Sequence, residues 1–360
     1  MILLRYVAWR TLGAFLGALV GVVGIFLAVD FVDNAASFTG PGWFPAVLEL
    51  YANKAAGVVY LVAPAAMLLG ASIATSTFRQ TREYTAMRAV GLGPWRIAVP
   101  ILAVAILSGV ALVVLNDVVG VRAADRAEEI TAKRFGRGGD LRRYLAAREP
   151  KRWFRGQDGR HVYHLRGNLP GGGFERATIL ELSPEFTVAR RIDAARMRPE
   201  GDAWVLEDVQ DRRFELDGRM TLEQAPARRY RFDEPPESFS VVPGRPAQMR
   251  WLTLLRQIAI RRHLGLPVVE FELERYGRLA YPFAAVPGVL LAVALALRAN
   301  RKGHVAVALV EAVGVSLVFW SLQGVGEALG MSGRLTPWLA QWGPNLLLLV
   351  VGVVVVRRAR

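Results

Sequence analysis

The sequence predicts an α-helical integral membrane protein, with three spans on either side of an inserted all-β domain of sandwich or jelly-roll type. Three observations carry this reading. Hydrophobic residues make up 53% of the 360, and they gather in six long apolar runs. Between the third and fourth runs lies a block, about 118–275, rich in Arg, Asp, Glu and Gly, where apolar runs are short. The basic residues outside that block crowd one set of run ends.

The six runs cover about 11–32, 55–76, 97–117, 279–298, 303–323 and 338–356. A helix rises 1.5 Å per residue, so crossing a hydrocarbon core of about 30 Å takes roughly 20 apolar residues. Lipid offers no water to unpaired backbone groups, which makes these runs helices. The first run follows Arg5 and Arg10 and precedes Asn34-Ala35-Ala36-Ser37, a pattern shared with signal peptides. It exceeds a signal peptide's apolar stretch of roughly 7–15 residues, and its loss would spoil the even span count.

Outside 118–275 stand 15 Lys/Arg and 7 Asp/Glu. Twelve of those bases fall at one set of ends: Arg5, Arg10, Arg79, Arg82, Arg88, Arg96, Arg298, Arg301, Lys302, Arg357, Arg358 and Arg360. The opposite short loops hold Lys54 and Arg334, and Arg278 begins the fourth run. Positive charge marks the cytoplasmic side. Both termini and the 77–96 and 298–304 loops are therefore expected in the cytoplasm, and 118–275 outside. The net charge of +14 is divided between these helix ends and a mixed outside block of 30 bases and 24 acids. That distribution argues against a nucleic-acid surface.

Along the second span's cytoplasmic exit runs "TREYTAMRAVGLGPWRI", 81–97. Thr81 can cap a short helix at about 81–91, Glu83 and Arg88 suit its dipole, and Gly91 fits its stop, with Pro94 beyond. Tyr84, Met87 and Val90–Gly91 fall at three- to four-residue spacing and form one apolar stripe. A short amphipathic helix there serves either to dock in a partner's groove or to lie on headgroups.

Within the outside block, "RHVYHLRG", "RATILELS", "AWVLEDVQ" and "RRYRFD" read as strands. Gln157-Asp158-Gly159, Gly171-Gly172-Gly173, Ser183-Pro184, Pro199-Glu200-Gly201 and Asp217-Gly218 read as the turns between them. Residues 122–134 extend the third span. "MRWLTLLRQIAIRRHLG", 249–265, is an amphipathic helix with Leu252, Leu255 and Ile258 at helical spacing and Gly265 as its stop. The two membrane halves show no obvious repeat.

Catalytic patterns are sparse. No G-x-x-x-x-G-K-[ST] loop or H-E-x-x-H occurs, and the chain has no cysteine. Gly324-x-Gly326-x-x-x-Gly330 has the wrong spacing for a phosphate loop. His161 and His164, three apart in a strand, face opposite sides and make a poor metal pair. Neither a metal nor another cofactor is expected. Acids at membrane depth are costly and point to function. Glu311 inside the fifth run suits either an ion or proton site or an interhelical bond. Asp30 and Asp33 end the first span, where water can solvate them. Arg275 and Arg278 can meet an anionic headgroup or pair with Glu270, Glu272 and Glu274.

Four segments together resemble one family. "REYTAMRAVGLGPWRI" resembles the coupling-helix segment E-x-x-x-[ML]-[RQ]-A-x-G of the LptF/LptG lipopolysaccharide-export permeases. "RYVAWRTLGAFLGAL…VDFVD" resembles their first helix, with an ending that leans to the LptG branch. "ELERYGRLAYPFAAV", 272–286, resembles the approach to their fourth helix. "LTPWLAQWGPN", 335–345, resembles their last-helix pattern P-x-x-A-x-W-x-P-N. The resemblance spans nearly the whole chain.

It implies a non-catalytic permease subunit in the bacterial inner membrane, with a periplasmic jelly roll at 118–275 between spans 1–117 and 276–360. Two such permeases would pair, as a hetero- or homodimer, and a cytoplasmic ABC ATPase dimer would drive them. Glu83 matches the ATPase-contacting glutamate; Tyr84, Met87, Arg88 and Gly91 share its helix. Lipopolysaccharide would enter from the outer leaflet near helices one and five. It would leave through the jelly rolls to a periplasmic bridge protein. One departure stands out. Family members of the LptG type often carry lysines after the first helix, where this chain reads "DNAASFTGPGWF". Lys54, Arg122, Arg275 and Arg278 are the candidate replacements for headgroup contact, unless the lipid differs. An exporter of another envelope lipid and an ion-coupled secondary transporter, the latter motivated by Glu311, are the alternatives.

Overall fold

A computed structural model describes residues 2–136, 152–156, 159–167, 169, 173–201, 203–215, 218–232, 245–263, 265–298 and 305–358. The turn residues Gln157, Asp158, Gly171, Gly172 and Asp217, the bases Arg301, Lys302 and Arg360, and the interior of the 298–304 loop lie outside the described residues. The chain divides into two compact units. One comprises Met1–Gly136, Pro246–Trp251 and Val269–Arg360; the other comprises Arg137–Arg245 and Leu252–Val268.

The first unit is helical. Helices α1 (Ile2–Asn34) and α2 (Trp43–Gln80) are followed by the short α3 (Glu83–Ala89) and by α4 (Pro94–Leu115). A π-helical turn at Asn116–Gly120 leads into α5 (Val121–Ile130), so helix continues to Phe135 over 41 residues from Trp95. At 1.5 Å per residue this is about 60 Å, twice a hydrocarbon core. Helix α6 (Trp251–His263) passes into the second unit. Then come α7 (Val269–Ala280), α8 (Ala285–Arg298), α9 (Val305–Met331) and α10 (Pro337–Arg358).

Among the described residues five helices are long and apolar enough to cross a membrane, and a sixth span arises if α7 and the helix after it count as one. The expected fourth span at 279–298 does not begin as a fresh helix. It is the second arm of a pair bent by 41° at Pro282. A proline in the chain's path removes a donor and forces such a break. The carbonyl of Ala280, stranded there, accepts a bond from Asn345 Nδ2 at 2.7 Å. Lys54, expected in a loop, lies inside α2, whose helix starts twelve residues before the apolar run does.

One core joins α1, α2, α3, α4 and α8 through Val7, Phe15, Met67, Phe78, Met87, Ile101 and Val289. Small residues let the helices approach. A Cβ on Gly70 would stand 2.5 Å from the Cα of Phe15, and one on Gly326 would collide with the Ala340 carbonyl. The Gly326-x-x-x-Gly330 pair is thus the contact of α9 with α10, a small-xxx-small seam of the kind membrane helices use.

The second unit carries six strands: β1 (Arg152–Arg155), β2 (His161–Arg166), β3 (Arg176–Leu182), β4 (Val188–Glu200), β5 (Ala203–Phe214) and β6 (Met220–Tyr230). They form one antiparallel meander in chain order. The two-sheet sandwich or jelly roll is not found among the described residues: successive hairpins keep each strand beside its predecessor, and no crossover starts a second sheet. Glycines with positive φ sit at the expected turns, Gly159, Gly201 and Gly218. Alternation buries one face, with Tyr163, Leu165, Ile179, Ile192, Trp204 and Leu206 in its core. Edge strand β6 carries Pro226, which donates no ladder bond.

In α6 the buried stripe is Leu254, Gln257 and Ile258. Leu252, expected on that stripe, is 78% exposed, because the stripe's phase follows 254, 257 and 258. Gly265 ends the helix as expected: its N–H reaches Arg262 and that of Leu266 reaches the Arg261 carbonyl.

Candidate functional site

Helix α3 begins because α2 cannot continue. Arg82 adopts a left-handed φ of 58° and turns the chain. Thr81, expected to cap α3, is instead the last residue of the α2 end, with its N–H on the Thr77 carbonyl. Its hydroxyl lies 3.0 Å from both that carbonyl and Glu83 Oε1, so one proton is shared between them. No side chain caps α3 at its start; Glu83 in the first turn meets the positive dipole end instead.

The far end is a Schellman stop. Gly91 takes φ 85°, its N–H bonds to Arg88, and Leu92 N–H bonds to Met87. Leu92 and Met87 both pack into the bundle core, the apolar contact that accompanies this motif.

The apolar stripe of α3 points into the bundle: Met87 is buried and Tyr84 half-buried against the same core, whereas Val90, expected on that stripe, faces away from it. Burial pushes the Tyr84 phenol up from its usual range. The outward face is made of Thr85, Ala86, Arg88, Ala89 and Val90, and Val90 is 82% exposed. Glu83 is half-buried, because Tyr6 donates its hydroxyl to Glu83 Oε2 at 3.1 Å. Tyr6 lies 77 residues away in α1, so spacing along the chain carried no sign of it.

The candidate headgroup residues fall into two groups. Lys54 is bound to Asp30 at 2.7 Å, and the Tyr51 hydroxyl donates to the same carboxylate at 2.7 Å. This closes the end of the bundle opposite α3, over an aromatic cluster of Phe31, Phe38, Tyr51 and Phe135. Asp30 is therefore a helix-pairing residue, while Asp33 is exposed. Arg278 is 6% exposed and uses its fork internally. Its Nε donates to Glu274 at 2.6 Å, and its two terminal nitrogens donate to the carbonyls of Met249, Pro246 and Ala247. With its donors turned inward, it is a clamp on the Pro246–Trp251 segment and no longer a headgroup contact. Arg122 is exposed, and Arg275 is half-exposed, 4.7 Å over the ring of Tyr276.

Glu311 stands half-buried on α9 beside Ala312, which joins α9 to α2 and α8. Among the described residues it has no bonded partner. Deeper polar contacts on the same helix join Gln323 to Gln341 of α10. On the outside of the bundle, α1 and α9 each leave a bare apolar flank, with Val20, Ile25 and Val29 on one and Val310 and Leu317 on the other.

A family model described as lipopolysaccharide export system permease LptF/LptG matches residues 5–358. No curated protein matches the chain.

Proposed function

Because the chain belongs to the lipopolysaccharide export permease family LptF/LptG, we propose that it is the membrane subunit on which a separate cytoplasmic ABC ATPase pushes, with α3 as the docking segment. The observation that carries this is the construction of α3. It is stopped at both ends, rooted by Met87 and Tyr84 in the bundle core, and turns Thr85, Ala86, Arg88, Ala89 and Val90 outward. Such a face, mostly small with one cation, suits a helix that docks in a partner's groove. Rooting in the core that α1, α2, α4 and α8 share lets a push on α3 reach the spans.

The bare apolar flanks of α1 and α9 fit the route by which lipid would enter, beside a second permease of the same family. Arg122 and Arg275 remain the cations able to meet its phosphates, in place of the missing lysines. Lipopolysaccharide is the cargo this reading names, and a periplasmic bridge protein its receiver. Six spans, both termini in the cytoplasm and the β unit in the periplasm complete it.

Expected outcomes are specific. A crosslinker placed at Val90 captures the ATPase. Glu83→Lys leaves assembly intact, raises ATP hydrolysis relative to lipid released, and slows extraction. Full extraction by an assembled Glu83→Lys complex would falsify the coupling role.

A further inference from the structure

The face of the sheet opposite the apolar core holds a depression of about 430 Å³. Trp153, His164, Arg166, Arg176, Thr178 and Arg191 line it. Its floor is unusual for a solvated sheet. Arg166 and Arg176 stand directly opposite each other on β2 and β3. Like charges so placed repel, and sheets ordinarily avoid them. Among the described residues neither has an acid partner: Arg166 donates to His164 Nε2, at 3.4 Å, and Arg176 makes no polar bond. Asp193, on this face beside Thr178, is held by Arg191, Arg212 and Thr178. Positive charge is left over and aimed at a concavity.

Beside the arginines, the ring of Trp153 stacks on buried His164 at 4.0 Å and 12°. One face of the indole is thereby fixed, yet Trp153 remains 60% exposed. A rigid, open aromatic face next to paired guanidinium forks matches a flat amphipathic ring bearing a phosphate. Arginine forks suit phosphate oxygens in number and geometry. The volume falls in the range of small-ligand sites, about 300–1,000 Å³.

We propose that this depression binds a phosphorylated sugar, with the phosphate on Arg166 and Arg176 and the sugar ring against Trp153. The site rests on the sheet's own geometry and stands apart from the coupling role of α3. The ligand has two possible sources, the headgroup of a transported glycolipid or a soluble sugar phosphate.

Calorimetric titration of the full chain in detergent tests it, with glucosamine 1-phosphate, glucosamine and inorganic phosphate as probes. Glucosamine 1-phosphate is expected to bind more tightly than either fragment. Arg166→Gln with Arg176→Gln weakens it by about tenfold or more, with thermal unfolding unchanged, since both side chains are exposed. Trp153→Ala brings its affinity down to that of inorganic phosphate. Displacement by lipopolysaccharide micelles assigns the lipid headgroup; binding without displacement assigns a soluble ligand. Absence of saturable binding, or equal binding by the double variant, overturns the proposal. Glu83→Lys leaves this titration unchanged, so the coupling role and the sugar-phosphate site fail separately.

Discussion

Arg278 shows how far one side chain's role depends on its surroundings. Near the start of the fourth apolar run it reads either as a headgroup contact or as a partner of Glu270, Glu272 or Glu274. In the fold, three carbonyls and Glu274 take its donors. Removing one partner of a buried charged network leaves the others stranded, at about 3 kcal/mol. Arg278→Met is therefore expected to lower the melting temperature in detergent clearly. Arg278→Lys recovers part of that, because an ammonium cannot reproduce the fork. An unchanged melting temperature for both would show the clamp to be idle. Asp211 is the matching case in the β unit: 1% exposed, it takes two bonds from Arg190 at 2.9 and 2.6 Å. Those bonds hold its carboxyl below the usual carboxylate range. A depressed carboxylate stabilises the fold above its unfolded pKa of about 3.9 and loses that contribution as pH falls through the folded value. Unfolding of the wild type should steepen in acid below pH about 4, and Asp211→Asn should lack that component. Parallel acid curves for the two proteins would exclude Asp211 as the group.

At the level of helices and strands, the glycine stops and turns were legible, whereas the Thr81 cap and the packing partners were not. Gly91, Gly265 and the hairpin glycines announce their positions because only glycine takes positive φ without strain. The close approaches of Gly70 and Gly326 carry no such local mark, since each depends on a backbone from another helix. Gly70→Ala pushes a methyl into the α1 backbone, so α1 must shift off α2. A drop of several degrees in melting temperature and loss of the Tyr6–Glu83 bond are expected. A crosslink between cysteines placed at positions 6 and 83, weakened in that variant, checks it. Strands β2, β3 and β5 and the end of β6 were recognisable by composition, while β1 and the arginine-rich β4 were not. Nor was the meander, because adjacency in a sheet is decided between strands and not within them.

For the molecule as a whole, the family match and the apolar helices agree on a multi-pass permease of the lipopolysaccharide export system. Glu311 tests the rival in which the chain moves its cargo on an ion gradient. Glu311→Gln is expected to leave ATP-driven extraction within about twofold of wild type, since a half-buried acid with no bonded partner among the described residues contributes little to packing. Loss of transport in that variant, with assembly intact, would favour the ion-coupled alternative.

Apolar run length, charge placement and glycine positions are properties of the chain itself, set by bilayer thickness and by backbone sterics. They sufficed for a helical membrane protein with a β insert and for a free-standing helix at about 81–91, found at 83–89. Which face of that helix looks inward, which arginine is buried, and that two arginines oppose each other across β2 and β3 were decided only when distant segments met. Hydrogen bonds and close packing act over a few ångströms in space, and no spacing along the chain encodes that neighbourhood.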